Sequence, residues 1–189
     1  YLRHMPNMTV LAPKNRYELR QMLDFATEID GPVAIKYPRA DAFAGLKEYN
    51  APIVYGKSEV ICQGSKVAVF ACGNMVVEAL KLVDKLKSQR ILATLINVRF
   101  LSNVDIELLK EICEKHSIIV SMEENVQKGG YGELLGDTII EEGIKTTEDF
   151  KFINCSLKAG IIEHGNIDIL RDIYEINADS VYDKIKAVL

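Results

Sequence analysis

GPVAIKYPRADAF, running from Gly31 to Phe43, holds a short apolar strand between two breakers. Val33, Ala34, Ile35 and Tyr37 are entered through the Gly31-Pro32 turn and closed by Pro38. A run of this kind reads as a strand of a parallel sheet, buried on both faces. An amphipathic helical stretch precedes it, and Arg39 stands just past its carboxyl end. Open α/β sheets collect ligands outside the carboxyl ends of their strands. The fixed donor fork of a guanidinium at that place suits a phosphate or a carboxylate. A surface pair between Arg39 and Asp41 accounts for the same spacing equally well.

Working upstream, Met8 to Leu11 reads as a strand and Asn15 as the cap of a helix reaching Ile29. Leu19, Met22, Leu23, Ala26 and Ile29 share one face at helical spacing, with Glu18, Arg20, Gln21 and Glu28 elsewhere. Strand, helix and strand make one βαβ unit with a parallel sheet. One such unit cannot bury its own strands. Residues 1–45 are therefore expected to end a larger α/β domain and to pack loosely on the rest of the chain, or to need a partner chain. The lack of Met at position 1 leads to the same expectation of an upstream start.

Downstream, Gly45, Asn50, Pro52 and Gly56 break any period, so residues 46–57 read as a linker. A second unit over residues 58–189 opens with SEVICQ and KVAVFA across Gly64-Ser65, which suggests a hairpin with a Gly-first turn. Then come a helix from Asn74 to Lys87 with Val77, Leu80, Val83 and Leu86 inward, a strand at 91–97, a helix from Asp105 to His116, and a strand at 117–122. A helix from Tyr131 to Glu142, a strand at 150–154 and two short helices, Ile167 to Tyr174 and Ser180 to Val188, complete it. The alternation specifies an α/β fold with a doubly wound, mostly parallel sheet.

Composition limits the function classes. The chain has 189 residues, 48% of them hydrophobic and 26% charged, with a net charge of -4. That is an ordinary globular balance with no basic cluster, so neither nucleic acid nor an anionic membrane is an expected partner. No apolar run reaches the length of a membrane span, and YLRHMPNM has no signal-peptide core. Cys62, Cys72, Cys113 and Cys155 are widely spaced and read as reduced, buried and intracellular. His4, His116 and His164 have no ligand-like spacing to them, so zinc is not expected.

The motifs carry little chemistry by themselves. Gly129-Gly130-Tyr131-Gly132 opens a helix but lacks the third glycine of a dinucleotide fingerprint and the Lys-Ser/Thr of a P-loop, which favours a structural turn. Glu123 and Glu124 point to opposite sides of an extended backbone, one to cap a helix or bridge an interface and the other to face solvent. His164 reads as a capping or packing residue.

Several stretches together are more specific. YLRHMPNMTVLAP, ELRQML, GPVAIKYPR, NVRF with Asp105 after it, SMEENVQKGGYG, IIEHG and NADSVYDKI occur in the order and spacing of one family. Along nearly its whole length the chain resembles the carboxyl-terminal part of the 1-deoxy-D-xylulose-5-phosphate synthase family, thiamin-diphosphate enzymes of the transketolase group. The resemblance implies the end of a pyrimidine-binding domain over 1–45 and a transketolase carboxyl-terminal domain over 58–189. It also implies a cytoplasmic homodimer that joins pyruvate, after loss of CO2, to D-glyceraldehyde 3-phosphate in isoprenoid, thiamin and pyridoxal precursor synthesis. The arginine of the family's YPR motif, which meets the aldehyde's phosphate, falls on Arg39; no catalytic, cofactor or metal residue falls on this chain. The family's GDG motif, which holds diphosphate through Mg2+, and its cofactor-activating glutamate belong before Tyr1. This chain alone is accordingly expected to bind neither thiamin diphosphate nor Mg2+ and to be inactive.

Ala40 stands where the family usually has Gly, Lys36 where Arg is common, and Ser102-Asn103 where Lys-Pro is common. Ala40 is expected to reshape the Arg39 loop slightly, since Ala takes positive φ less readily than Gly. Two other readings stay open. One is the matching region of a 2-oxo acid dehydrogenase β subunit, and the other a separate non-catalytic module for dimerisation or regulation.

Overall fold

The computed structural model describes residues 1–39 and 41–189; the expectation about Ala40 lies outside the described residues. After a 3-10 turn at Leu2–His4 come strand β1 (Thr9–Leu11), helix α1 (Arg16–Glu28) and strand β2 (Val33–Ile35). β1 and β2 pair in parallel, from Thr9 opposite Val33 to Leu11 opposite Ile35. Asn15 starts α1 by accepting the Glu18 N–H on its side-chain oxygen. Two expectations need correction. β2 is only half-buried, because it edges a two-stranded sheet. The buried side of α1 carries Glu18 and Met22, while Leu23 is 53% exposed.

From Lys36 to Ser58 the described residues form no helix or strand. The second unit comprises β3 (Glu59–Cys62), β4 (Val67–Ala71), α2 (Met75–Ser88), β5 (Ala93–Asn97), α3 (Ile106–Lys115), β6 (Ile118–Val126), α4 (Tyr131–Glu141), β7 (Lys151–Leu157), α5 (Ile167–Ile173) and α6 (Ala178–Lys186). Its sheet has the order β3-β5-β4-β6-β7, parallel throughout except for β3. The predicted hairpin does not form: β3 pairs antiparallel with β5, on the far side from β4. Gly64 lacks the positive φ that a Gly-first turn needs. Instead it crosses β5 so closely that a Cβ there would lie 2.2 Å from the Leu92 carbonyl oxygen.

β4 is buried along its whole length, as the strand between both halves of a doubly wound sheet should be. Val67, Val69 and Ala71 face the layer of α2 and α6, whereas Ala68 and Phe70 face α3 and α4. In α2 the inward stripe is Met75, Val76, Ala79, Leu82, Val83 and Leu86. The expected Val77 and Leu80 are only half-buried. Both faces of a central sheet are thus covered, which is the predicted fold class.

The two sheets are joined by a buried charge cluster, not loosely as expected. Lys14 Nζ lies 2.8 Å from Glu18 and 2.7 Å from Glu59. Arg99 reaches the same two carboxylates at 2.8 and 3.0 Å, and the Asn97 amide donates to both. Leu11, Met22 and Phe100 pack beside it. NVRF therefore alternates between jobs: Asn97 and Arg99 serve the charges, Val98 and Phe100 the apolar core.

Acid should weaken the fold from two places. Burial acts to raise the Glu59 pKa, but the Lys14 hydrogen bond and the Arg99 and Lys14 charges outweigh it and hold the group below its ordinary 4.5. Its contribution is present above that value and is lost as pH falls through the depressed folded value. His116 is buried with Nδ1 on the Ile112 carbonyl at 3.0 Å, so Nδ1 carries the proton and Nε2 accepts from Thr94 Oγ1 at 2.8 Å. Burial pushes its pKa below 6.5. The unfolded chain then binds the proton first, and stability falls once pH drops below about 6.5. Urea unfolding at a series of pH values should show this fall, and His116→Gln should remove the part that begins nearest neutrality.

Candidate functional site

The carboxyl ends of strands from both sheets converge on one cleft of about 970 Å3. Pro13, Lys14 and Asn15 follow β1, Tyr37 to Arg39 follow β2, Asn74 follows β4, and Gly165 to Asp168 span the end of the β7–α5 connection and the first residues of α5. This is where an open α/β fold places a ligand. The segment after β2 is pinned near both ends. At its start the Lys36 N–H donates to the Leu11 carbonyl at 2.7 Å. Further on, the Arg16 N–H holds the Phe43 carbonyl at 3.0 Å, and the Asn15 amide holds the carbonyls of Gly45 and Leu46.

Arg39 lies on this strap, exposed and lining the cleft. The ion pairs among the described residues do not include one to Asp41, the alternative partner. Of the other two arginines of the cleft, Arg171 is ion-paired, whereas Arg16 meets only a neutral neighbour. Arg171 contacts Glu124 at 2.7 Å and Glu78 at 3.5 Å, and Arg16 donates to the Tyr17 hydroxyl at 2.9 Å. Arg39 and Arg16 are thus the cleft guanidiniums without an ion pair among the described residues.

Of the carboxylate pair, one caps a helix as expected, and the other is not solvated. Glu123 is buried and fills the start of α4, accepting the Tyr131 N–H at 2.9 Å and the Gly132 N–H at 2.7 Å. Gly130 is required there, because a Cβ would come within 2.6 Å of Glu123 Oε1. Burial raises the Glu123 pKa, although those two amides and the charges of Lys36 and Arg3 work against it. Glu124 is not left to solvent: Arg171 Nε and the Asn74 amide hold its carboxylate at 2.8 and 2.6 Å. His164 is exposed, and the cap of α5 is Asn166. The four cysteines are free, with Cys62 half-buried and the other three buried.

The glycine turn before α4 already holds a carboxylate where a phosphate would sit. Among the described residues no group of three or more His, Cys, Asp or Glu is placed to hold a metal ion. No helix of the described residues is long and apolar enough to cross a membrane.

A layered, doubly wound sheet with an antiparallel edge strand and a ligand cleft at its carboxyl ends defines the class. Residues 56–181 match the transketolase C-terminal domain, and the chain belongs to that family. It is 38% identical over 185 residues to a 1-deoxy-D-xylulose-5-phosphate synthase of Lachnoclostridium phytofermentans, covering 98% of this chain and 29% of that protein. One from Dictyoglomus turgidum is 40% identical over 190 residues, covering all of this chain and 30% of its own length. The chain thus spans less than a third of these relatives, which bear the synthase name and not that of a dehydrogenase subunit. Among solved structures, a split-gene transketolase described as an inactive beta4 tetramer superposes with a TM-score of 0.85 at 24% identity, over 100% of this chain and 59% of its own. A Campylobacter jejuni transketolase gives 0.72 at 15% identity, over 98% of this chain and 27% of its own. Both share the fold.

Glu18, Glu59, Arg99 and Arg171 were missed as structural or cleft residues, since charged side chains at isolated positions read as solvated. The Lys14 to Glu18 spacing of four was the available signal. The capping role of Glu123 is open to test. Glu123→Ala leaves two buried amides unpaired and should destabilise the fold by about 1–3 kcal/mol in urea unfolding, with Glu123→Gln recovering part of the loss.

Proposed function

We propose that this chain forms the carboxyl-terminal part of a 1-deoxy-D-xylulose-5-phosphate synthase, in which Arg39 binds the phosphate of D-glyceraldehyde 3-phosphate. Supporting the reading are the family match, relatives of that name covering nearly all of this chain, and a guanidinium exposed to the cleft after β2. The complete enzyme joins pyruvate, with loss of CO2, to that aldehyde in the cytoplasm. Thiamin diphosphate supplies the carbanion chemistry, and it and Mg2+ are held by parts of the polypeptide other than these residues. On this reading the first βαβ unit ends the pyrimidine-binding domain, and the chain works within a homodimer. The tetramer named for the split-gene transketolase is a precedent for self-association in this fold.

The contribution of Arg39 follows from its chemistry. A guanidinium offers two parallel donors to a phosphate and keeps its charge at every working pH. A charge-assisted contact of this type contributes about 1.5–3 kcal/mol, so its loss corresponds to roughly ten- to a hundredfold in affinity. In the complete enzyme, Arg39→Ala should raise KM for the phosphorylated aldehyde and lower its kcat/KM by that factor. The KM of pyruvate should stay nearly unchanged, and an aldehyde without phosphate should scarcely respond. Arg39→Lys should recover part of the loss. Equal damage with phosphorylated and unphosphorylated aldehydes would overturn the assignment.

A further inference from the structure

The point in the second sheet where a ligand crevice is expected is occupied by the chain itself. Strand order reverses around β4, since β5 lies on one side and β6 on the other. The gap outside the carboxyl ends of β4 and β6 is the switch point of a doubly wound sheet. Here only about 50 Å3 remains, between Cys72, Gly73, Asn74 and Glu124 on one wall and Lys36, Tyr37 and Pro38 on the other. The strap that carries Arg39 lies across this gap.

Among the described residues one polar contact joins strap and sheet, and the sheet is shaped to receive it. Lys36 Nζ donates to the Glu124 carbonyl at 2.9 Å. That carbonyl lies in a register break between β6 and β7. From Met122 to Val126 β6 advances four residues, while β7 advances two, Cys155 to Leu157. Bulges of this kind take backbone groups out of a ladder and re-aim them. The acceptor is then immobilised by its own side chain, because Arg171 and Asn74 grip the Glu124 carboxylate from two directions. The buried Glu123 carboxylate next to it also feels the Lys36 charge.

We propose that Lys36 is a positioning residue, whose ammonium fastens the Arg39 strap to the β6 bulge and so sets where the guanidinium meets the substrate phosphate. The inference rests on the Arg39 reading above. Lys36 lies three residues before Arg39, and the intervening Pro38 fixes one backbone angle, so an error at the anchor is passed on to the guanidinium. Lys36 touches no reacting group and acts only through Arg39.

The test is a kinetic cycle in the complete enzyme with Lys36→Met, Lys36→Arg, Arg39→Ala and the double variant Lys36→Met/Arg39→Ala. Lys36→Met keeps the apolar stem and removes the donor. It should raise KM for the phosphorylated aldehyde about two- to tenfold, the span of one ordinary hydrogen bond, and leave pyruvate and an unphosphorylated aldehyde unaffected. Lys36→Arg should behave almost as the unaltered enzyme. The double variant should be no worse than Arg39→Ala alone, since residues that act through one another do not add. Multiplying effects in the double variant, or a fall in kcat with every substrate, would overturn the inference while leaving Arg39 in place. So would a Lys36→Met variant that fails to fold, provided Lys36→Arg folds, for the residue would then be structural. If Arg39→Ala itself showed no preference for the phosphorylated aldehyde, the Arg39 reading would fail and this inference with it.

Discussion

Four charges and one amide, closed off from water, hold this molecule in one piece. Lys14 and Arg99 share the carboxylates of Glu18 and Glu59, and Asn97 donates to both. The four ionised groups sum to zero, and each comes from a different segment: the β1–α1 turn, α1, β3 and the residues after β5. Taking single charges out of water is very unfavourable, so none of these segments can leave without stranding its partners. Removing one member of such a set costs about 3–5 kcal/mol, more than most single apolar contacts provide. The small cluster of Leu11, Met22 and Phe100 adds burial beside it. Arg99 also donates to the carbonyls of Ala51 and Pro52, which ties the irregular segment between the sheets to the same centre.

The cleft depends on that junction. With β1 and α1 fixed against β3 and β5, the strands of both sheets present their carboxyl ends to a common space. The strap after β2 has the start of α1 on one side and the switch point of the larger sheet on the other. Motifs typical of the family thereby separate into two kinds. NVRF and the glycine turn are structural, one feeding the charge cluster and the other admitting Glu123 to the start of α4. Of these motifs, the YPR arginine lines the cleft and has no ion pair among the described residues.

Legibility from the sequence tracks the physics of each feature. Apolar periodicity located nearly every helix and strand, because burial of a stripe or a face is a local property. Pairing is not local. Two β-rich runs across Gly64-Ser65 look like a hairpin whichever neighbours they choose, and here β5 separates them. The inward faces of α1 and α2 were rotated from expectation for a related reason: Glu18 and Glu78 are buried through charged partners, which a hydrophobic pattern assigns to solvent. The place of Arg39 at the cleft was legible because it stands just past a strand end. The grouping of Asn74, Glu124 and Arg171 was not, since its members lie far apart in the chain and meet only at the switch point.

Native-state hydrogen exchange tests most directly whether the charge cluster makes the two sheets one cooperative unit. Amides in α1, such as that of Met22, belong to the small unit, and amides in β4, such as that of Val69, to the centre of the large one. Segments that unfold together share one opening free energy, and independent segments do not. With the cluster joining both sheets, the most protected amides of α1 should open with the same free energy as those of β4. Opening of α1 at a clearly lower free energy, while β4 remains fully protected, would show that the two sheets are separate units.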